Sequence, residues 1–517
     1  MAEGRTEEAE LEERLSEAEE RFERLRRRLG LFLGPLLAAL VYALPLRGLG
    51  GPAHALAAII AWVVAWWITE PVPIPVTSLL GASLAVAAGV SDAKAAFAPF
   101  GDPVIYLFLG SFIIAKAMSV HGLDKRFAYR ILSLRAVGNS AARVLFVFGA
   151  LTAALSMWIS NTATTAMMFP IALGIVSAMS GILSAGRGER PAGDNGRFAT
   201  GVMLMTAFAA SIGGIGTPVG TPPNLIGLAM LEKYVGFKIP FFRWMMFAVP
   251  LLIVMYAFLF AVLYLLHRPQ VRRIRGTRDW VRAELGKLGP MTRGQKNALI
   301  AFLVAVTLWV LPGFFALFTG VESALSKAYN RRVPEAVAAL TAAALLFLLP
   351  VDWKKRSFTL NWRQAVQIDW GTLLLFGGGI SLGEMMFKTG LAEAVGRGVL
   401  GLFGATSLWG LTLAAVYLAI FVSEATSNTA SATMIVPVII SVSQAAGVNP
   451  VPPAVGAIIG ASYGFMLPVS TPPNAIVYGS GRVPITRMLR AGVLVDLGGG
   501  ILVWAGLRVL LPLVGLG

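Results

Sequence analysis

The sequence predicts an all-α polytopic membrane protein with about eleven transmembrane helices and two re-entrant hairpins, arranged as an inverted-topology repeat. Three observations carry this reading. The 517 residues are 56% hydrophobic and only 14% charged, with a mean hydropathy of +0.73, whereas a soluble domain carries about a quarter of its residues charged. Apolar runs recur from residue 30 to the C-terminus, each about as long as a hydrocarbon core of roughly 30 Å requires. A polar motif inside those apolar stretches occurs twice. A soluble enzyme, a secreted disulfide scaffold and a disordered chain are excluded. The formal charge of +16 would suggest nucleic acid in a soluble domain; in a membrane protein it reads as positive-inside bias, with no nucleic-acid partner.

In chain order, residues 1–29 stand apart. Leu11, Leu15, Ala18, Phe22, Leu25 and Leu29 form one helical stripe, with glutamates first and Arg24, Arg26, Arg27 and Arg28 last, as the helix dipole prefers. This reads as a cytoplasmic amphipathic helix anchoring against the membrane rather than a dimer brace. No signal peptide is visible, because the segment is charged rather than apolar. The first half, 30–267, holds crossings near 31–46, 52–69, 74–90, 103–119 and 241–266, a polar-tipped hairpin at 143–183 and a broken helix at 198–232. A basic cytoplasmic linker, 268–296, follows. The second half, 297–517, holds crossings near 297–318, 334–350, 371–387 and 491–515, a hairpin at 407–446 and a broken helix at 454–480.

Charge sets the orientation. Loops on the N-terminal side hold 24 Lys and Arg and those on the opposite side 10. The N-terminus is therefore expected in the cytoplasm and the C-terminus outside, in the cell (inner or plasma) membrane. There are no cysteines, and His54, His121 and His267 are scattered, so neither a thiolate nor an imidazole metal cluster is expected.

The repeat locates the site. Ser156-Met-Trp-Ile-Ser160-Asn161-Thr162-Ala163-Thr164 recurs as Ser423-Glu-Ala-Thr-Ser427-Asn428-Thr429-Ala430-Ser431, and the same offset of 267 aligns Asp102, Leu107 and Gly110 with Asp369, Leu374 and Gly377. Downstream, Pro218-Val-Gly220-Thr221-Pro222-Pro223-Asn224 answers Pro468-Val-Ser470-Thr471-Pro472-Pro473-Asn474. An odd number of crossings separates equivalent points, so the second half is inverted and the site belongs near the midplane. A Ser-Asn-Thr cluster cannot face lipid, but a hairpin tip buried in protein can hold it. The half-helices there offer free carbonyls to a cation and free N–H groups to an anion. Tandem prolines remove donors and break the helix, while Gly213, Gly214, Gly216 and Gly220 admit close approach.

On these motifs the chain resembles the divalent-anion/sodium symporter (DASS) family, carriers of dicarboxylates, citrate and sulfate. The stretches Trp66-Trp67-Ile68-Thr69-Glu70-Pro71-Val72-Pro73 and Ala461-Ser462-Tyr463-Gly464-Phe465 through Asn474-Ala475-Ile476-Val477 carry the likeness too. It spans about residues 30–517. The resemblance implies an elevator-type carrier, with a dimerising scaffold domain and a sliding transport domain, that imports a C4-dicarboxylate such as succinate, malate or fumarate together with Na+ and needs no organic cofactor. By motif position it implies a first sodium site from Ser156, Ser160, Asn161 and the backbone around Gly220. The second would use Ser423, Thr426, Asn428 and the backbone around Ser470. Carboxylate contacts would come from Asn161, Thr162, Asn428 and Thr429, with Thr221, Pro222, Thr471 and Pro472 beside them. Homodimerisation is likewise implied by the resemblance alone.

The chemistry agrees. Neither hairpin core contains Lys or Arg, so a dianion needs bound cations; one sodium about 5 Å from a carboxylate contributes roughly 3 kcal/mol at an effective dielectric of about 20. Glu424 is read as structural or as shaping the sodium field rather than as a proton carrier, and Lys116 and Glu384 as needing charge partners. Sodium-independent exchange, and sulfate or citrate as cargo, are the alternatives on the same fold. An enzyme is not expected, since neither Ser160 nor Ser427 has a histidine to activate it.

Overall fold

The computed structural model describes residues 17–46, 48–134, 140–186, 196–269, 277–319, 323–403 and 407–517. They are almost entirely helical; the exception is a short antiparallel hairpin of Pro350–Asp352 and Ser357–Phe358. Among the described residues six helical stretches are long and apolar enough to cross a bilayer: Gly51–Thr69, Ala93–Val120, Phe241–Leu266, Arg293–Phe315, Leu408–Ala425 and Ile485–Leu513. That is fewer than the expected crossings. Prolines, hairpin tips and two breaks cut the remaining apolar stretches into shorter pieces such as Ala141–Ser156 and Val451–Gly460.

Residues 1–16 of the expected N-terminal helix lie outside the described residues. From Glu17 a single helix runs unbroken to Ala43, so no boundary falls near residue 29. It packs along Gly51–Thr69, where Gly30 and Gly34 meet Thr69 and the Trp62 and Trp66 rings at distances a Cβ would not permit. Arg26 donates to the Ile68 carbonyl (3.2 Å) and reaches Glu70 (3.7 Å), which fixes the turn between the next two helices.

The duplication extends beyond the motifs. Asp102 caps Pro103–Val120 by accepting from Val104 N–H (3.0 Å), and Asp369 caps Trp370–Lys388 by accepting from Thr372 N–H (3.0 Å). After each of these helices a glycine turns left-handed, Gly122 at φ 64° and Gly390 at φ 78°. A short amphipathic helix follows in both halves, Leu123–Leu132 and Leu391–Phe403. Between the halves, Lys233 pairs with Glu384 and lies 4.0 Å from Asp102, while Lys388 lies 3.5 Å from Glu384. The charge expected to accompany Glu384 is therefore Lys233; Lys116 has no ion pair among the described residues.

Candidate functional site

Each hairpin is two helices joined by a few residues: Ala141–Ser156 with Asn161–Gly186, and Leu408–Ala425 with Asn428–Ala445. The Ser before each asparagine is the cap of the second helix. Ser160 Oγ accepts from Ala163 N–H and Ser427 Oγ from Ala430 N–H, both at 3.3 Å, satisfying one otherwise orphan donor. Across the tip, Ser156 Oγ donates to Asn161 Oδ1 at 2.7 Å, and Ser423 Oγ donates to Asn428 Oδ1 at 2.8 Å. The two halves thus build the same bond from residues 267 apart.

The broken helices are Gly196–Gly214 followed by Pro222–Val235, and Val451–Gly460 followed by Pro472–Tyr478. Unwinding frees carbonyls that must find donors, and the motif asparagines supply them. Asn224 Nδ2 donates to Gly214 O (3.0 Å) and Thr217 O (2.8 Å); Asn474 Nδ2 donates to Gly464 O (2.8 Å) and Leu467 O (2.9 Å). The sequence motif contains both asparagines, but spacing alone carries no hint that their amides brace the break. Each break also packs on the hairpin of the opposite half: Pro222–Val235 against Asn428–Ala445, and Pro472–Tyr478 against Asn161–Gly186.

Oxygens gather where tip meets break. In the first half a Cβ on Gly214 would collide with Asn161 Oδ1, and one on Gly220 would stand 2.5 Å from Gly214 O and 2.9 Å from Met157 O. Ser156 Oγ, Asn161 Oδ1, Met157 O and Gly214 O therefore surround one cleft. Thr217 Oγ1 donates to Met157 O and ties the break to the tip. In the second half Ser423 Oγ also lies 2.9 Å from Ala461 O, and a Cβ on Gly464 would sit 3.3 Å from Ser470 Cβ and 3.5 Å from Ser423 O. Here the halves differ. Ser470 Oγ donates to Glu424 Oε2 at 2.6 Å, and Met466 N–H donates to Glu424 Oε1 at 2.9 Å, so Glu424 braces the second break. Thr426 donates to Trp67 O at 3.0 Å, so its hydroxyl hydrogen points to the helix Gly51–Thr69 rather than to the tip.

Thr221 and Thr471 border the same clefts, Thr221 beside Gly214 and Thr471 beside Gly464. Thr162 and Pro472 are exposed, Asn161, Asn428, Thr429 and Pro222 are half-buried, and Thr221 and Thr471 are buried; Thr471 Oγ1 accepts from Asn474 N–H at 3.3 Å. Both asparagines stand at helix N-termini, where free N–H groups and the dipole favour an anion. Tips and breaks contain no Lys or Arg. The oxygen sets suit hard cations, and the N-terminal ends suit carboxylate. Among the described residues no His, Cys, Asp and Glu cluster could hold a transition metal.

A helical membrane protein whose duplicated hairpins and broken helices interlock around such clefts is a membrane transporter. The family model described as "Sodium:sulfate symporter transmembrane region" matches residues 28–514, and the chain belongs to that family, the divalent-anion/sodium symporters; it is a transporter, not an enzyme. It is similar to proteins named sodium-dependent dicarboxylate transporter SdcS. The one from Staphylococcus saprophyticus is 35% identical over 471 residues, covering 90% of this chain and 88% of that protein. The one from Staphylococcus aureus strain USA300 is 33% identical over 494 residues, covering 94% and 91%. The crystal structure of the YdaH transporter of Alcanivorax borkumensis shares the fold, with a TM-score of 0.51 and 14% identity over 94% of this chain and 98% of that one.

Proposed function

We propose that this protein is a sodium-coupled symporter that brings C4-dicarboxylates such as succinate into the cell. The observation that carries the reading is the Ser-to-Asn hydrogen bond built identically at both hairpin tips, each beside a helix break whose carbonyls face it. Two sodium ions would sit there: the first among Ser156, Ser160, Asn161 and the backbone around Gly220, the second among Ser423, Thr426, Asn428 and the backbone around Ser470. The substrate carboxylates would meet Asn161, Thr162, Asn428 and Thr429, with Thr221, Pro222, Thr471 and Pro472 closing the cavity. With no Lys or Arg at the tips, sodium must bind before the dianion, which couples the two fluxes. The similarity to sodium-dependent dicarboxylate transporters supports sodium and dicarboxylate. The protein would work as a homodimer by an elevator movement, a transport domain of hairpins and broken helices sliding past a scaffold, with the N-terminus in the cytoplasm.

The test is labelled succinate uptake into proteoliposomes under an inward sodium gradient against potassium, each with and without succinate preloaded inside. Uptake that needs sodium, ignores preloading and disappears in Asn161→Ala and Asn428→Ala is expected. Uptake that needs internal succinate and ignores sodium would make the protein an exchanger and overturn the proposal.

A further inference from the structure

A second polar cluster adjoins the second hairpin. Asp496, near the middle of the apolar helix Ile485–Leu513, is fully buried; neither of its carboxylate oxygens has a well-aligned hydrogen bond, and the donor beside it is the Phe465 backbone N–H. Its charged neighbour is Glu424, whose carboxylate stands within hydrogen-bonding reach. That contact joins two acceptors and needs something positive between them. Glu424 is already committed as an acceptor to Met466 N–H and Ser470 Oγ. Tyr463, also fully buried, packs beside the Asp496 helix at Gly499, where a Cβ would stand 3.4 Å from its hydroxyl, and that hydroxyl has no partner. Gly492 and Gly499 flank Asp496 on its helix: a Cβ on the first would collide with the Phe465 carbonyl, and one on the second would stand 2.7 Å from the Tyr463 ring. Two glycines thus let the loop that carries Tyr463 and Phe465 close over the carboxylates.

Two adjoining carboxylates inside a membrane protein, with no cationic side chain between them, are costly as they stand. A shared proton would join one oxygen of each, leave the second Asp496 oxygen with only the poorly aligned Phe465 N–H, and leave the Tyr463 hydroxyl bare. A hard cation gathers several oxygens at once, and the two Asp496 oxygens, the Glu424 carboxylate and the Tyr463 hydroxyl make such a set. We propose that Glu424, Asp496 and Tyr463 form a third cation site, which takes one sodium ion beside the second hairpin. The inference rests on the symport reading and adds to it a charge count. Three sodium ions with one succinate dianion move one net positive charge inward, so transport is driven by membrane potential; two would make it electroneutral.

The experiment is simultaneous initial flux of labelled sodium and labelled succinate into proteoliposomes containing the full chain, at fixed pH, with and without an inside-negative potential. Three sodium ions per succinate and faster uptake under the potential are expected. A ratio of two without potential dependence overturns the site, and so does a ratio of two accompanied by proton entry. In Asp496→Asn the ratio is expected to fall to two and the potential dependence to vanish. Tyr463→Phe removes a single ligand and is expected to raise the sodium concentration for half-maximal uptake about tenfold; an unchanged value argues against the site. Sodium-induced thermal stabilisation in detergent, which requires no transport, separates this idea from the symport reading. If the wild type carries no succinate yet its sodium-induced shift shrinks in Asp496→Asn, the site stands and symport fails. If succinate uptake follows sodium but the shift is the same in Asp496→Asn, symport stands and the site fails.

Discussion

Gly214 has no side chain to spare, and the first oxygen cleft depends on that. A methyl there would run into Asn161 Oδ1 and stand 3.1 Å from Thr221 Cβ, displacing the amide that Ser156 holds. Gly214→Ala is therefore expected to raise the half-saturating sodium concentration for uptake at least about tenfold, equivalent to about 1.4 kcal/mol of lost binding. Gly101→Ala, whose methyl would meet open space, is the control that should leave it unchanged. His267 supports a different prediction. It is buried just past the end of Phe241–Leu266, its Nδ1 has no partner, and Gly201 packs against its ring. Burial pushes its pKa down to about 4 from 6.5; the Leu263 backbone opposes this, and the positive charges of Arg487, Arg490 and Arg197 each add a smaller push downward. The folded state thus binds fewer protons than the unfolded one between those values. Stability should be flat above about pH 6.5 and fall as pH drops toward 4, by at most roughly 3 kcal/mol. Thermal unfolding in detergent across that range should show the loss, and His267→Gln should flatten it; an equal slope in the variant would remove His267 as the cause.

At the scale of elements, the breaks and tips were legible because unsatisfied polar residues inside apolar stretches have few permitted places, and duplication made the pattern visible twice. What spacing could not convey was the tertiary bonding: the Asn224 and Asn474 braces, the turn of Thr426 toward Trp67, and the carbonyls of Met157 and Gly214, which are backbone atoms without a residue signature. Asp496 had a readable signal, a lone acid in an apolar helix, yet only the fold reveals Glu424 and Tyr463 beside it. The continuity of Glu17–Ala43 was hidden because the change from charged to apolar at residue 29 marks a change of solvent, not of conformation. The interlock of the halves can be tested at Gly227, on Pro222–Val235, which packs against the Ile458 side chain on Val451–Gly460 so closely that a methyl would overlap it. Gly227→Ala should destabilise by about 1–3 kcal/mol, and Ile458→Ala in the same chain should recover part of that. A double-mutant cycle on thermal unfolding reads the coupling, which should exceed about 0.5 kcal/mol if the two residues meet; simple additivity would mean they do not.

On the scale of the whole molecule, inversion of one half relative to the other would bring two similar clefts together with opposite polarity, and it can be tested at residues far from them. Lys125 and Glu393 occupy equivalent exposed positions, 268 residues apart, on the short helices Leu123–Leu132 and Leu391–Phe403. Each helix begins just after a left-handed glycine, Gly122 or Gly390. A parallel duplication would leave the two on the same side of the membrane. Five expected crossings between them make an odd number, and the loop of the first holds 5 Lys and Arg where that of the second holds 2, the asymmetry that positive-inside bias demands. Because the chain has no cysteine, Lys125→Cys and Glu393→Cys each carry a unique thiol. In intact cells a membrane-impermeant thiol reagent is expected to label Glu393→Cys and to reach Lys125→Cys only after permeabilisation. Labelling of both from the same side would mean that the halves are not inverted, and the shared Ser-to-Asn bonds would then have to serve two clefts facing one way, which leaves no midplane site for a symported anion.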